Sequence, residues 1–182
     1  MKTSRLTLLS AGVVALTCFA TMAASYLTTT TEDGFSKPTI DVGIVVSDLE
    51  KSMAFYKDAI GFKNSRTFSV PGEFAKEAGL TDTLDLEIQV FTLGDGPAAT
   101  EIKLMQIDGA TSAKVDHDFI HSSLGFSYLT VHVNSTETAL ARLKKSNVEP
   151  IANCPVQIEG TELYLTIVRD PDGNLIELVG PN

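Results

Sequence analysis

The feature that most limits how this chain can fold is a repeat of one strand–helix pattern. In "TIDVGIVVSDLEKSMAFYKDAIG" every second residue from Ile40 to Val46 is apolar, which predicts a strand. Ser47 or Asp48 then caps a helix, and Gly61 ends it. The helix carries apolar residues at helical spacing: Leu49, Met53, Tyr56 and Ile60.

The same pattern returns in the second half of the chain. The strand position of Val42 recurs at Leu129, 87 residues later, and Asn134 or Ser135 caps the helix that follows. A closing strand also recurs with an offset of 74 residues, "TEIKLMQI" from Thr100 and "NLIELVGP" from Asn174. Each half is therefore predicted to contain a strand, a helix and three strands, and so long a period indicates duplication.

The two offsets differ by 13 residues, so the first half carries an insertion of that length. The candidate is "VPGEFAKEAGLTD", residues 70–82, which could form a short helix. Such an insertion either decorates the surface or covers a pocket as a lid. The sequence leaves both alternatives open.

The first residues differ from the rest of the chain. "MKTSR" is basic, "LTLLSAGVVALTCFATMAA" is uncharged, and "SYLTTTTEDGFSKP" is polar. This order is typical of a secretory signal peptide, which predicts cleavage after Ala23 or Ala24 and a periplasmic or secreted protein. An uncleaved membrane anchor and a lipid-modified Cys18 are the alternatives, and the protein would contact a membrane only in those cases.

We divide the chain accordingly into a signal peptide (1–24), a polar linker (25–37) and a domain (38–181). Cleavage leaves Cys154 as the only cysteine, so no disulfide is expected to stabilise the domain. It also removes Lys2 and Arg5, which changes the formal net charge from −9 to −11. A chain this acidic is not expected to bind nucleic acid.

The two halves together resemble a known superfamily. "VSDLEKSMAFYKDAIGF" in the first half and "VRDPDGNLIELVG" at the end closely resemble motifs of the vicinal-oxygen-chelate superfamily, which contains glyoxalases, extradiol dioxygenases and bleomycin resistance proteins. The resemblance implies an α/β (α+β) fold of two βαβββ modules, whose curled mixed sheets form a cup with helices on the outer face. Module one is expected at 38–108, a connector at 109–124 and module two at 125–181.

Alternation along the strands predicts which side chains face the cup. Because the apolar residues of these strands are expected to meet the helices, the residues between them face inward. The predicted inward residues lie on four strands: Asp41, Gly43, Val45; Glu101, Lys103, Met105; Tyr128, Thr130, His132; and Leu175, Glu177, Val179.

The resemblance also implies where a metal would bind. Metal-using members take ligands from the first and last strand of each half, usually His or Gln, Glu, His and Glu. These positions correspond to Asp41, Lys103, Tyr128 and Glu177, of which only Glu177 matches. Lys103 donates protons instead of electron pairs, so Asp41 is expected to face Lys103 or a substrate. A divalent metal (Ni, Zn, Mn or Fe) on Asp41, His132 and Glu177 remains the alternative.

The resemblance implies a glyoxalase-like enzyme that acts on a small oxygenated metabolite by lyase- or isomerase-type acid–base chemistry. Glu177, with Asp41 or His132, is expected to transfer the proton. Other inward residues are expected to contact the substrate: Lys103, Tyr128, Thr130, Glu101 and Met105. The alternative is a protein that binds or sequesters a small molecule without turnover, as bleomycin resistance proteins do. A homodimer is expected in both cases.

Overall fold

Two four-stranded mixed sheets carry the fold, one from each half of the chain. The computed structural model describes residues 34, 35 and 37–182. The predicted signal peptide and most of the polar linker therefore lie outside the described residues. Among the residues that are described, no helix is both long and apolar enough to cross a membrane.

Module one contains four strands and two short helices. Its sheet has the order β1-β4-β3-β2, with β1 and β4 parallel and the other pairs antiparallel. The elements in chain order are β1 (Asp41–Val45), α1 (Leu49–Ala54) with a π-helical segment (Phe55–Ile60), β2 (Lys63–Val70), α2 (Gly72–Glu77), β3 (Leu86–Leu93) and β4 (Thr100–Met105).

Module two repeats this topology without the second helix. Its sheet has the order β5-β8-β7-β6, again with the first pair parallel. The elements are β5 (Tyr128–His132), α3 (Thr136–Lys145), β6 (Val156–Gln157), β7 (Leu163–Arg169) and β8 (Leu175–Pro181). The predicted α+β fold of two βαβββ modules with curled sheets is confirmed.

The strand registers reproduce the sequence repeat. Asp41 lies opposite Glu101 in module one, and Tyr128 lies opposite Leu175 in module two. Asp41 and Tyr128 are separated by the first offset, and Glu101 and Leu175 by the second. The two parallel strand pairs are therefore structurally equivalent, position by position.

The helix caps explain where two of the helices begin. Asp48 accepts a hydrogen bond from the backbone N–H of Lys51 at 3.1 Å, and Ser135 accepts one from Thr138 at 3.2 Å. Gly61 ends the first helix with φ of 102°, a left-handed conformation that favours glycine. The π-helical widening before Gly61 was not predicted from the spacing.

One hydrophobic core joins both modules. It receives the outer faces of β1, β4, β5 and β8 together with the first helix and α3, and most of its large side chains are almost fully buried. Examples from the two modules are Tyr56, Phe91, Ile102, Leu104, Leu143, Ile176 and Leu178. Because the outer faces of the sheets are buried in this core, it is their inner faces that can make other contacts.

A buried hydrogen bond also links the modules. The Tyr56 hydroxyl donates to Asp170 at 2.9 Å, and Asp170 is only 4% exposed. Asp170 also accepts hydrogen bonds from the backbone N–H groups of Asp172 and Asn174 and from the Asn174 amide. Burial, and then the negative charge of Asp170, raise the pKa of Tyr56. The "DPDGN" turn therefore also connects module two to the first helix, through Asp170.

Candidate functional site

The inner face of module one carries four charged side chains in two ion pairs, which we call the charged quartet: Asp41, Lys103, Glu101 and Arg66. Lys103 Nζ lies 3.0 Å from Asp41 Oδ2, and both side chains are less than one-third exposed. This contact agrees with the inward direction predicted for both residues. Asp41, the first residue of the otherwise apolar strand β1, therefore has a partner, because its carboxylate contacts the ammonium group of Lys103 on β4.

The second pair of the charged quartet has bidentate geometry. Arg66 Nη1 and Nη2 lie 2.6 and 2.9 Å from the two carboxylate oxygens of Glu101, whose side chain is 14% exposed. The hydrogen bonds that Arg66 donates to Glu101, and then the charges of Glu101 and Asp41, raise the pKa of Arg66. Arg66 therefore remains a cation throughout the working pH range.

The insertion forms α2 and packs on the inner side of the sheet. Ala75 is fully buried in a second cluster with Leu86, Ile88 and Val90, and Met105 packs against this cluster. Ile88 and Val90 lie opposite Met105 and Lys103, so they share the inner face with them. The insertion therefore covers part of that face and packs near Met105.

Backbone contacts fix the position of this insertion. Gly72 begins α2 and donates its N–H to Asp85 at 2.6 Å. A Cβ at Gly72 would lie 1.8 Å from the carbonyl oxygen of Thr83, so no other residue fits without moving the loop. The residues before and after α2 therefore contact each other and hold the insertion in place.

The inner face of module two carries a smaller polar group. Thr130 donates its hydroxyl to Glu177 Oε2 at 2.8 Å, and the two residues are register partners on β5 and β8. Tyr128, at the start of β5, is half-exposed. Within the described residues, neither Thr130 nor Glu177 forms a hydrogen bond or ion pair with module one.

His132 lies two residues after Thr130 on β5. It ends β5 opposite Val179 and lines a cavity of about 300 Å³ together with Asn134, Ser135 and Arg142. Asp41 and Glu177 do not line this cavity. The structure of one chain therefore brings Asp41 to Lys103 and Glu177 to Thr130, and His132 lines a cavity that neither carboxylate lines.

The donor set does not fit a divalent metal. Across the described residues, no three side chains of His, Cys, Asp or Glu gather closely enough to share an ion. The Lys103 ammonium contacts the carboxylate of Asp41, which is one of the three alternative ligands. A metal there would have to compete with a positive charge that is already bound.

Arg66 was missed by the sequence reasoning. It lies on β2, whose residues are nearly all exposed, so apolar alternation gives no signal there. Asp172 was also missed as a contact of module one, where it accepts a hydrogen bond from the backbone N–H of Ser47 at 3.0 Å. Both contacts join residues that are far apart in the sequence, so no local sequence pattern reveals them.

The family comparison covers most of the domain. Residues 40–178 match the model of the Glyoxalase/Bleomycin resistance protein/Dioxygenase superfamily. No curated protein sequence matches the chain.

Solved structures share the fold. A glyoxalase family protein from Bacillus cereus is 25% identical, with a TM-score of 0.65 over 77% of this chain and 91% of that protein. A glyoxalase family protein from Enterococcus faecalis is 19% identical, with a TM-score of 0.53 over 78% and 94%. A variant of glyoxalase I from Zea mays is 19% identical, with a TM-score of 0.56 over 76% of this chain and 43% of that longer protein.

Proposed function

Because the chain belongs to the glyoxalase, bleomycin resistance protein and dioxygenase superfamily, we propose that it is a glyoxalase-like protein that acts on a small oxygenated metabolite without a metal ion. The observation that carries this proposal is the ion pair between Lys103 and Asp41. In the related metal-using proteins, the resemblance places two metal ligands at these positions. Here the same positions hold a fixed cation and its counter-ion.

The charged quartet suits recognition of a carbonyl or carboxylate oxygen. Lys103 and Arg66 present an ammonium and a guanidinium on one sheet face, and Asp41 and Glu101 hold them in place. Cations fixed in advance stabilise negative charge that develops on a substrate oxygen, because they need no reorganisation during the reaction. These two residues are therefore assigned to substrate binding and oxyanion stabilisation.

Glu177 is the proposed base. The hydrogen bond from Thr130 uses Oε2 and fixes the direction of the carboxylate on β8. A carboxylate oriented in this way can accept a proton from the carbon next to a carbonyl, and the resulting oxyanion would then be neutralised by Lys103. Thr130 acts here as a positioning residue.

A second copy of the chain is the proposed means of bringing these groups together. Several large apolar side chains are exposed in the connector and at the start of β5: Phe119, Ile120, Leu124, Phe126 and Tyr128. Contiguous exposed apolar residues of this kind mark protein interfaces. In the proposed homodimer, module one of one copy faces module two of the other, so that the charged quartet and Glu177 share one cup.

Export to the periplasm or the medium is also part of the proposal. It rests on the basic, apolar and polar order of residues 1–37. Cell fractionation and N-terminal sequencing of the recovered protein would test it. A new N-terminus near residue 24 is expected, whereas an intact Met1 in the soluble cytosolic fraction would contradict export.

Ligand binding and turnover can be tested on one panel of small carbonyl and hydroxy-acid compounds, with proton NMR to detect conversion. We expect Lys103→Met to abolish binding, and Glu177→Gln to retain binding but lose turnover. Lys51→Met is the matched control, because Lys51 forms an ion pair with Asp48 at 2.7 Å at the start of the first helix, which packs on the outer face of the sheets. Unchanged turnover in both inner-face variants would contradict the proposal.

A non-catalytic binding protein is the second candidate. The observation that favours it is the apolar character of the inner face of module two, where Leu165 and Ile167 lie opposite Val179 and Glu177 and Tyr128 is half-exposed. Such a surface would suit an aromatic or hydrophobic ligand. Saturable binding in the same panel, with no conversion by the wild-type protein, would select this candidate.

A further inference from the structure

The two halves of the chain differ at one equivalent junction. In module one, the backbone N–H of Ser47, between β1 and α1, donates to the Asp172 carboxylate at 3.0 Å. The strand registers make Asn134 the counterpart of Ser47, and Ala98, counted back from β4, the counterpart of Asp172. The second junction therefore has no carboxylate at the position where Asp172 accepts the hydrogen bond in the first junction.

A cavity opens at the second junction. It has a volume of about 300 Å³ and lies beside Asn134, Ser135 and Thr138 at the start of α3. Arg142 and His132 also line it, and no Asp or Glu does. The lining contains one arginine and no carboxylate, although the chain has a net charge of −9, and this favours an anion.

Arg142 has donor capacity that the described residues do not use. Its Nη2 donates to the carbonyl oxygen of Ile60 at 3.0 Å, whereas its buried Nε–H has no acceptor among the residues that the structure describes. The guanidinium lies against Gly61, where a Cβ would be 3.5 Å from Nε. Ile60 and Gly61 also line the cavity, so the guanidinium lies at its wall. A buried donor without an acceptor destabilises the folded state.

We propose that this cavity is a binding site for a small oxyanion, above all a carboxylate. Arg142 binds the anion through its guanidinium, and the backbone N–H of Asn134 donates to it as Ser47 donates to Asp172. The internally equivalent junction shows that a carboxylate oxygen fits this backbone geometry. The site is separate from the charged quartet and from Glu177, so it does not depend on the proposed function.

Amide NMR of the full-length ¹⁵N-labelled protein tests this site directly. The probes are sodium acetate and sodium phosphate, each compared with sodium chloride at the same ionic strength. We expect saturable shifts at the amides of Gly61, Asn134 and Ser135 with acetate. A saturable response to phosphate alone would support an oxyanion site for inorganic anions, and an identical response to chloride would overturn the proposal.

Two variants of α3, each without one positive charge, test whether Arg142 binds the anion. Arg142→Gln should weaken acetate binding about tenfold or more, because it removes a charge-assisted donor. Lys145→Gln removes the same charge from the same helix but lies outside the cavity lining, so binding should stay within about twofold of the wild type. Equal weakening in both variants would overturn the site. The wild-type titration alone decides the matter if Arg142→Gln does not fold.

Discussion

Module one and module two share a topology and a strand register, yet their inner faces are chemically different. Module one presents the charged quartet and covers part of the face with α2. Module two presents one hydrogen-bonded carboxylate, a half-exposed tyrosine and apolar side chains, without a covering helix. The comparison teaches that the two modules share an outer core while their inner faces differ, with two ion pairs on one and a single hydrogen-bonded carboxylate on the other.

Substitutions in the shared core are expected to have the largest effects on stability, and they test whether the two modules fold as one unit. Leu104→Ala in module one and Leu178→Ala in module two should each lower the free energy of unfolding by about 2–5 kcal/mol, because both side chains are almost fully buried in one core. Urea unfolding followed by circular dichroism measures both values. A single transition is expected in each variant, and two separate transitions would mean that the modules fold independently.

The link between the modules is asymmetric, and Tyr56→Phe tests it. Removing the hydroxyl takes one donor from the buried carboxylate of Asp170, which should cost about 1.5–3 kcal/mol of unfolding free energy. The equivalent position in module two is Leu143, which has no hydroxyl to lose. Tyr164→Phe serves as the control on a partly exposed tyrosine and should change stability by much less. Equal costs in both variants would contradict the buried link.

The raised pKa of Tyr56 predicts an alkaline loss of stability. The folded protein keeps the phenol protonated, whereas the unfolded chain ionises it above its ordinary pKa of 10. Stability from this group is therefore complete below pH 10 and falls above it by roughly 1.4 kcal/mol per pH unit. Unfolding of the wild type and Tyr56→Phe between pH 8 and 11 should show this slope only in the wild type. Parallel curves would exclude Tyr56 as the source.

The smallest effect concerns the ion pairs. A double-mutant cycle with Asp41→Asn and Lys103→Met should give a coupling energy of about 0.5–1 kcal/mol that decreases with salt, since both groups are only partly screened. Lys63 and Asp95 form the control pair, because their side chains are 65% and 86% exposed and their coupling should be near zero. A stronger coupling in the control pair would contradict the expectation that the less exposed pair interacts more strongly.

Much of the fold could be predicted because it depends on local patterns. Period-two alternation placed Asp41 and Lys103 on one face, and the caps at Asp48 and Ser135 lie where the sequence puts hydrogen-bonding side chains before apolar helical residues. Gly61 ended the first helix as predicted. These features need only neighbouring residues and strand periodicity.

The rest depends on contacts that no local pattern carries. The sequence interpreted Tyr56 as one member of an apolar helical stripe, but its hydroxyl finds a partner 114 residues away. Arg66 lies on a strand without alternation, so no pattern pairs it with Glu101. The position of a side chain along a strand is set by the packing of whole modules, which a single sequence does not display.

Metal content tests the central claim most directly. The full-length protein would be incubated with nickel, zinc, manganese or iron(II), desalted and analysed by mass spectrometry for metal. The account predicts that no ion is retained in stoichiometric amount, because the Lys103 ammonium is held against Asp41 at two positions where metal-using relatives have ligands. One tightly held ion per chain that is lost in Glu177→Ala would contradict the metal-independent assignment.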